Sequence, residues 1–446
     1  MGIVMGMGAL KRLLVLCLIG LLISVLIGMP AHAGDDLLSE DALGEDWLSE
    51  EFDDGEDLFA GEGFSALGII AAQNKPLQLS VEHILAVNPK ASYRRTNHVT
   101  DVRVSTETSL GLLGYAQIEV KAMQYWKGSP NKPAVGDFSL LEVQQVMLQY
   151  SLAETSIKLG RYILSWGEVE GAGVLDVINP APNLISGATG FTPQWLLTGS
   201  YYMPSAQVSG FVGLDPSVSA LPGVVLTSSV AKEWGVKYGH TGAGSDWAVY
   251  AAHMVPNSAV LNLATAAAST TAPTTASAKA YQLIGYSWNK AIDDDLVKFD
   301  AAYKRGLEHN LGVTGLILAN RLDMAVGLEL NQGDREWSAS ITAQHWLDYQ
   351  SSYLTPALSP VASNQTDVTY NLGVNDSFNN DELSWSLMHI GTPTGSLRAL
   401  TGVLTWSPTD QWESSLSYAV MAAKSNTAYA LLDSAQRLTF KARFSY

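Results

Sequence analysis

From Leu77 onward, apolar and polar residues alternate with a period of two. Leu77, Leu79 and Val81 are separated by Gln78 and Ser80, and Ala116, Ile118, Val120 and Ala122 by Gln117, Glu119 and Lys121. The pattern returns at Leu322 to Leu330, Val368 to Val374 and Trp412 to Val420. Such alternation predicts strands with one apolar and one polar face. Segments of this kind give about eighteen strands, with sixteen as the alternative. They begin near residues 77, 98, 113, 138, 154, 194, 206, 231, 245, 278, 295, 319, 335, 367, 381, 396, 411 and 436. Most run about 10–14 residues, enough to cross a bilayer at a tilt.

The connections give an independent indication. After even-numbered strands they are short, as in NQGD at 331–334 and SPTD at 407–410. After odd-numbered strands most are long: 127–137, 167–193, 216–230, 257–277, 307–318, 351–366 and 425–435, with GTPTG at 391–395 as the exception. Segregation by parity is expected of an up-and-down transmembrane barrel, with periplasmic turns at one end and extracellular loops at the other. A soluble sandwich has no reason for it. The fold expected is therefore an all-β, antiparallel, transmembrane β-barrel over 63–446 with both termini periplasmic. Closure leaves no unpaired edge in lipid. Trp126, Trp166, Trp234, Trp247, Trp337, Trp346, Trp406 and Trp412 fall near strand ends, where aromatic girdles are expected.

Composition adds the compartment. Lys11 and Arg12, the apolar run Leu13 to Ile27 and Ala31-His32-Ala33 read as a secretory signal peptide over 1–33, cleaved after Ala33. The single cysteine, Cys17, falls inside it, so no disulfide, thiolate metal site or cysteine nucleophile is expected afterwards. Net charge is −17, and residues 34–62 alone hold thirteen Asp or Glu with no Lys or Arg. That stretch reads as an acidic periplasmic arm; its DDGED lacks the ligand spacing of an EF-hand loop. The remainder is mildly acidic, which argues against nucleic acid. The chain is 47% hydrophobic and 15% charged without a later apolar helix-length segment.

Candidate chemistry centres on 159–180, LGRYILSWGEVEGAGVLDVINP. Gly167, Gly171 and Gly173 have neither dinucleotide-loop nor Walker spacing, and no helix-and-parallel-strand pattern surrounds them. Glu168, Glu170 and Asp176 could be a glycosidase pair only with a raised pKa, which spacing does not show. The histidines are scattered outside hydrolase motifs; His253, His345 and His389 share the apolar parity near strand ends. No enzyme, cofactor or metal site is expected. The polar parity is expected to line a lumen with both signs: Arg103, Glu119, Lys121, Lys158, Glu233, Lys237, Lys298, Asp300, Lys304, Arg321, Asp323, Glu329, Glu413, Lys441 and Arg443.

Within the same stretch, Gly160-Arg161, Trp166-Gly167-Glu168 and Asn179-Pro180 resemble a proteobacterial family of porin-like outer-membrane proteins of uncharacterised function. Its hallmark is a Gly-Arg-Gln strand running into Trp-Gly-Glu-Ser and an Asn-Pro segment. Tyr162 replaces the Gln and Val169 the Ser. A similar Gly-Arg strand occurs in alginate-export and other porin families. The resemblance implies transport, with a periplasmic export partner. The last strand, RLTFKARFSY, places Phe440, Phe444 and Tyr446 on one face and resembles the C-terminal signal read by the outer-membrane barrel assembly machinery.

The expectation is thus an outer-membrane channel or exporter of small molecules, or alternatively a barrel anchor whose acidic arm docks a periplasmic partner. Loop 167–193 is expected to fold inward as a constriction, with Lys158, Arg161, Glu168, Glu170 and Asp176 near its mouth; Glu119, Lys121, Arg321 and Asp323 line the pore. Leu159–Trp166 is expected to form the outer half of the fifth strand, with Trp166 at the lipid interface. Arg161 shares parity with Ile157, Leu159 and Ile163, so a bulge near Gly160 is expected to turn it into the lumen.

Overall fold

The computed structural model describes residues 75–90, 94–110, 114–126, 139–169, 173–179, 191–216, 218, 225–226, 232–263, 275–312, 315–354, 362–425, 427 and 435–446. The expected signal peptide, the acidic arm and Glu170 lie outside them. Eighteen long strands form the wall: β1 Lys75–Asn88, β2 Arg94–Ser109, β3 Gly114–Tyr125, β4 Ser139–Leu152, β5 Thr155–Tyr162, β6 Gln194–Met203, β7 Ala206–Asp215, β8 Glu233–Gly242 and β9 Ser245–Met254. The second half is β10 Tyr281–Ile292, β11 Asp295–Leu311, β12 Leu316–Gln332, β13 Arg335–Trp346, β14 Thr366–Phe378, β15 Leu383–Gly391, β16 Leu397–Thr409, β17 Trp412–Ala423 and β18 Gln436–Ser445.

Each strand pairs antiparallel with the next, and β18 pairs with β1, Phe444 opposite Val81. Leu79 and Tyr446 exchange both backbone hydrogen bonds, at 3.0 and 2.7 Å, so the last residue completes the ring. The result is a closed eighteen-strand up-and-down barrel. Every start expected from alternation lies within four residues of a strand start.

Loop parity holds for most connections; on the long-loop rim 89–93, 312–315 and 392–396 are short. One rim carries tight turns such as 153–154, 204–205, 293–294 and 333–334, several with a residue at positive φ (Ala153 at 47°, Asp293 at 54°). Such φ values match the right-handed twist of hairpin strands. The other rim carries the long connections, including 163–193, 255–280 and 347–365. The stretch 307–318, expected as a loop, is mostly strand: β11 continues to Leu311 past a register shift between Arg305 and Leu307. That shift breaks the alternation while the ladder continues. On this rim Val260–Leu261 pairs with Thr275–Ser277, which runs parallel to Val225–Leu226.

The outward rows are apolar and exposed, as at Ile284 (64%) and Ile341 (58%), while the residues between them face inward. An apolar belt all round a barrel is the surface that lipid solvates and water does not. Trp126, Trp234, Trp337 and Trp412 lie exposed near the rims, as a girdle requires. Trp166 and Trp346 do not: both are buried, and a tryptophan near a strand end can serve the lumen as well as the interface.

Candidate functional site

β5 ends at Tyr162, so Ile163–Trp166 is not strand, and the chain turns into the barrel. Residues 164–169 and 173–179 lie along the inner wall of β6–β12. Trp166, Val169, Val174, Leu175 and Ile178 join wall residues Leu196, Phe211, Tyr250, Met254 and Leu283 in one buried cluster. This corrects the interfacial place expected for Trp166. Its ring lies 5.1 Å from Phe211 and 5.1 Å from Tyr250, centroid to centroid.

Small inward-facing wall residues make room for the segment. A Cβ at Gly235 of β8 would run into the Trp166 indole, and one at Gly285 of β10 into the Leu175 side chain. One at Gly327 of β12 would lie 3.3 Å from Val169. Three wall glycines therefore receive three apolar knobs. Burying side chains of this size contributes about 1.5–3 kcal/mol each.

Polar contacts fix the same segment. After Gly167 (φ +99°), the amides of Glu168 and Val169 both donate to the Asp300 carboxylate, at 3.0–3.1 Å. Asn289 donates to Glu168 at 2.7 Å. Asn257 donates to the carbonyls of Val177 and Asn179 at 3.0 and 2.7 Å, and Gln194 to that of Ile178. Lys304 reaches the Gly173 carbonyl at 3.5 Å and the Asp323 carboxylate at 2.7 Å. Arg321 forks onto Asp323 at 2.6 and 2.7 Å and lies 5.2 Å from the Trp346 ring. Asp323 is fully buried, so two cations compensate one desolvated carboxylate.

The remaining expected site residues divide between walls. On β2–β3, Lys121 pairs with Asp101 at 2.6 Å, and Glu119 stands in the same inward row of β3 as Lys121. Lys158 lies on the inward row of β5, and Asp176 is half-buried within the seated segment. Glu168, Arg321 and Asp323 meet the segment or its anchors, whereas Glu119, Lys121 and Lys158 stand apart on other strands.

Arg161 differs from expectation. The β4–β5 ladder runs through Gly160 and Arg161 without a register shift. The shift is on β4, where Gln144 is the extra residue opposite Glu119 and Val120. Arg161 keeps its outward parity and bends back, donating to the carbonyls of Val143 and Pro193 and pairing with Glu142 at 3.3 Å. Gly160 has φ +150°, and a Cβ there would collide with the Val146 carbonyl, so the site does require glycine.

The wall glycines and Asp300's role as an anchor were missed from sequence. An isolated glycine within a strand pattern signals close approach of another part of the chain, and Gly235, Gly285 and Gly327 are such glycines.

No family model matches the chain, and no curated protein matches it. Solved structures do. OccAB3 of Acinetobacter baumannii is 10% identical, with a TM-score of 0.52, covering 83% of this chain and 98% of that one. OccAB4 of the same organism is 7% identical at 0.53, covering 84% and 99%. The outer membrane protein OpdK of Pseudomonas aeruginosa is 8% identical at 0.50, covering 83% and 98%. The chain shares their fold.

Proposed function

We propose that the protein is an outer-membrane channel that passes small molecules alongside the seated segment. The observation that carries this reading is the segment itself. Residues 164–169 and 173–179 occupy one side of an eighteen-strand lumen, which is too wide for wall side chains alone to fill. The wall away from the segment keeps charges of both signs: the buried pair Asp101–Lys121 at 2.6 Å, Glu413 with Arg443 at 3.1 Å, and Arg103 at 3.9 Å from Asp101. Paired charges set up a transverse field with little net sign, which favours polar or zwitterionic solutes and weak ion selectivity. The long-loop rim faces the exterior and the termini the periplasm, in line with loop length; the resemblance around Gly160-Arg161 favours transport of the same kind. Single-channel recording in planar bilayers tests this, with steady conductance and near-equal cation and anion permeability expected. A barrel that inserts but passes neither ions nor solutes overturns it.

The acidic composition of 34–62 favours a second role, docking of a periplasmic partner. Deleting 34–62 should then abolish partner recovery and leave conductance unchanged.

A further inference from the structure

The outward surface differs between its two ends. Of the histidines on outward rows among the described residues, His83, His98, His253, His345 and His389 stand toward the long-loop rim, and His240 toward the short turns. Arg95, Arg305 and Arg398 share the outward parity near the long-loop rim. Glu308 and Asp348 lie there too, but both accept hydrogen bonds from neighbouring groups. The short-turn rim instead carries Glu154, Asp293, Asp294, Asp334, Asp381 and Asp410. The long-loop rim also carries the outward Asp215, and the short-turn rim Lys290 and Arg335, so one end of the barrel is richer in donors and cations and the other in carboxylates.

The donors are densest on β1–β3. Trp126 Nε1–H donates to Thr100 Oγ1 at 2.8 Å, and Thr100 Oγ1 lies 2.7 Å from His83 Nδ1. An indole nitrogen only donates, so the Thr100 oxygen accepts from Trp126, and its own hydroxyl hydrogen is available to a neutral His83 Nδ1. In that arrangement His83 carries its proton on Nε2, on the opposite edge of the ring. The His83 and His98 rings meet edge to face at 5.1 Å, and His98 stacks on Trp126 at 5.6 Å. Trp126 is 45% exposed, and its backbone amide bonds the His98 carbonyl at 3.0 Å, which places the cluster at the end of β3 on the long-loop rim. Arg95 stands on the same outward row, opposite Val87.

We propose that this corner of the outer wall binds the phosphate of an anionic lipid headgroup in the leaflet on the long-loop side. His83 Nε2–H and Arg95 donate to the phosphate oxygens, and the exposed indole face of Trp126 packs along the first carbons of the lipid. A phosphate suits the site because its oxygens accept from a guanidinium fork and a neutral imidazole donor together. The Trp126–Thr100–His83 chain accommodates the imidazole tautomer that this needs. The acidic short-turn rim repels the same headgroup, so the site is one-sided.

The test uses the full-length barrel in phosphatidylcholine nanodiscs, titrated with bisphosphoryl lipid A and, in parallel, with its dephosphorylated form. Wild type should bind the phosphorylated lipid preferentially. His83→Phe combined with Arg95→Gln should weaken that binding about tenfold, and Thr100→Val a few-fold (about 1 kcal/mol), both with unchanged heat-modifiable gel mobility. Arg305→Gln, on the outward row of β11, should bind as wild type. Equal binding of both lipids overturns the proposal. So does equal weakening by Arg305→Gln, or displacement by inorganic phosphate at equal molarity. A barrel that conducts without this preference overturns the headgroup site alone, and one that inserts without conducting overturns the channel alone.

Discussion

The two halves of the inner wall are built from different residues. On β8–β12 the inward positions under the seated segment alternate small residues, Gly235, Ala248, Ala252, Gly285, Ala302, Ala325 and Gly327, with the charged anchors Asp300 and Lys304 that bond to it. On β17–β18 and β1–β4 the inward rows carry Glu413, Arg443, Glu82, Asp101, Lys121 and Glu142. Both halves alternate equally well, so alternation makes the wall and side-chain volume decides which half receives the segment. Where the wall retreats to a hydrogen or a methyl, the chain packs against it.

The largest break in this contrast should come from Asp323→Ala, which leaves Lys304 and Arg321 buried around a missing carboxylate. Loss of one partner of a buried ion pair costs about 3–5 kcal/mol, so the barrel should unfold at clearly lower urea in a gel-shift assay. Gly285→Leu fills the socket of Leu175. Overpacking of this kind costs about 1–3 kcal/mol, and the segment should lift from the wall, seen as larger and noisier conductance. Asp300→Ala removes the acceptor of the Glu168 and Val169 amides at a similar or smaller cost, about 1–3 kcal/mol. It should give flickering between two conductance levels and a lower unfolding midpoint than wild type. The smallest effect is expected on the wall away from the segment. Arg443→Gln, in a half-exposed pair with Glu413, should cost at most about 1 kcal/mol and shift the reversal potential modestly toward cations. If Gly285→Leu and Arg443→Gln change conductance alike, the two halves are not distinct.

The wall was legible because period-two alternation is imposed twice, by lipid outside and by the lumen inside, and loop parity follows from the same topology. What failed was anything set by distant residues. Glu168 meets Asp300 across more than a hundred residues of chain, and no local pattern around Trp166 distinguishes a lumen knob from an interface anchor. Arg161 was a middle case. Its conflict with parity was readable, but the extra residue was sought at Gly160. The sequence Val143-Gln144-Gln145-Val146 already shows the slip, with two polar residues where alternation allows one. The local strangeness of Gly160 is in its φ, and it does not shift the register.

The seated segment also has a mechanical consequence. It leaves the wall after β5 and is bonded to β10 and β11 through Asn289, Asp300 and Lys304 before returning to β6. It is a spar inside a hoop, and a braced hoop resists changes of cross-section that an empty one follows. Lateral tension in the surrounding bilayer should therefore alter the open area of this barrel far less than that of one whose spar has been unpinned.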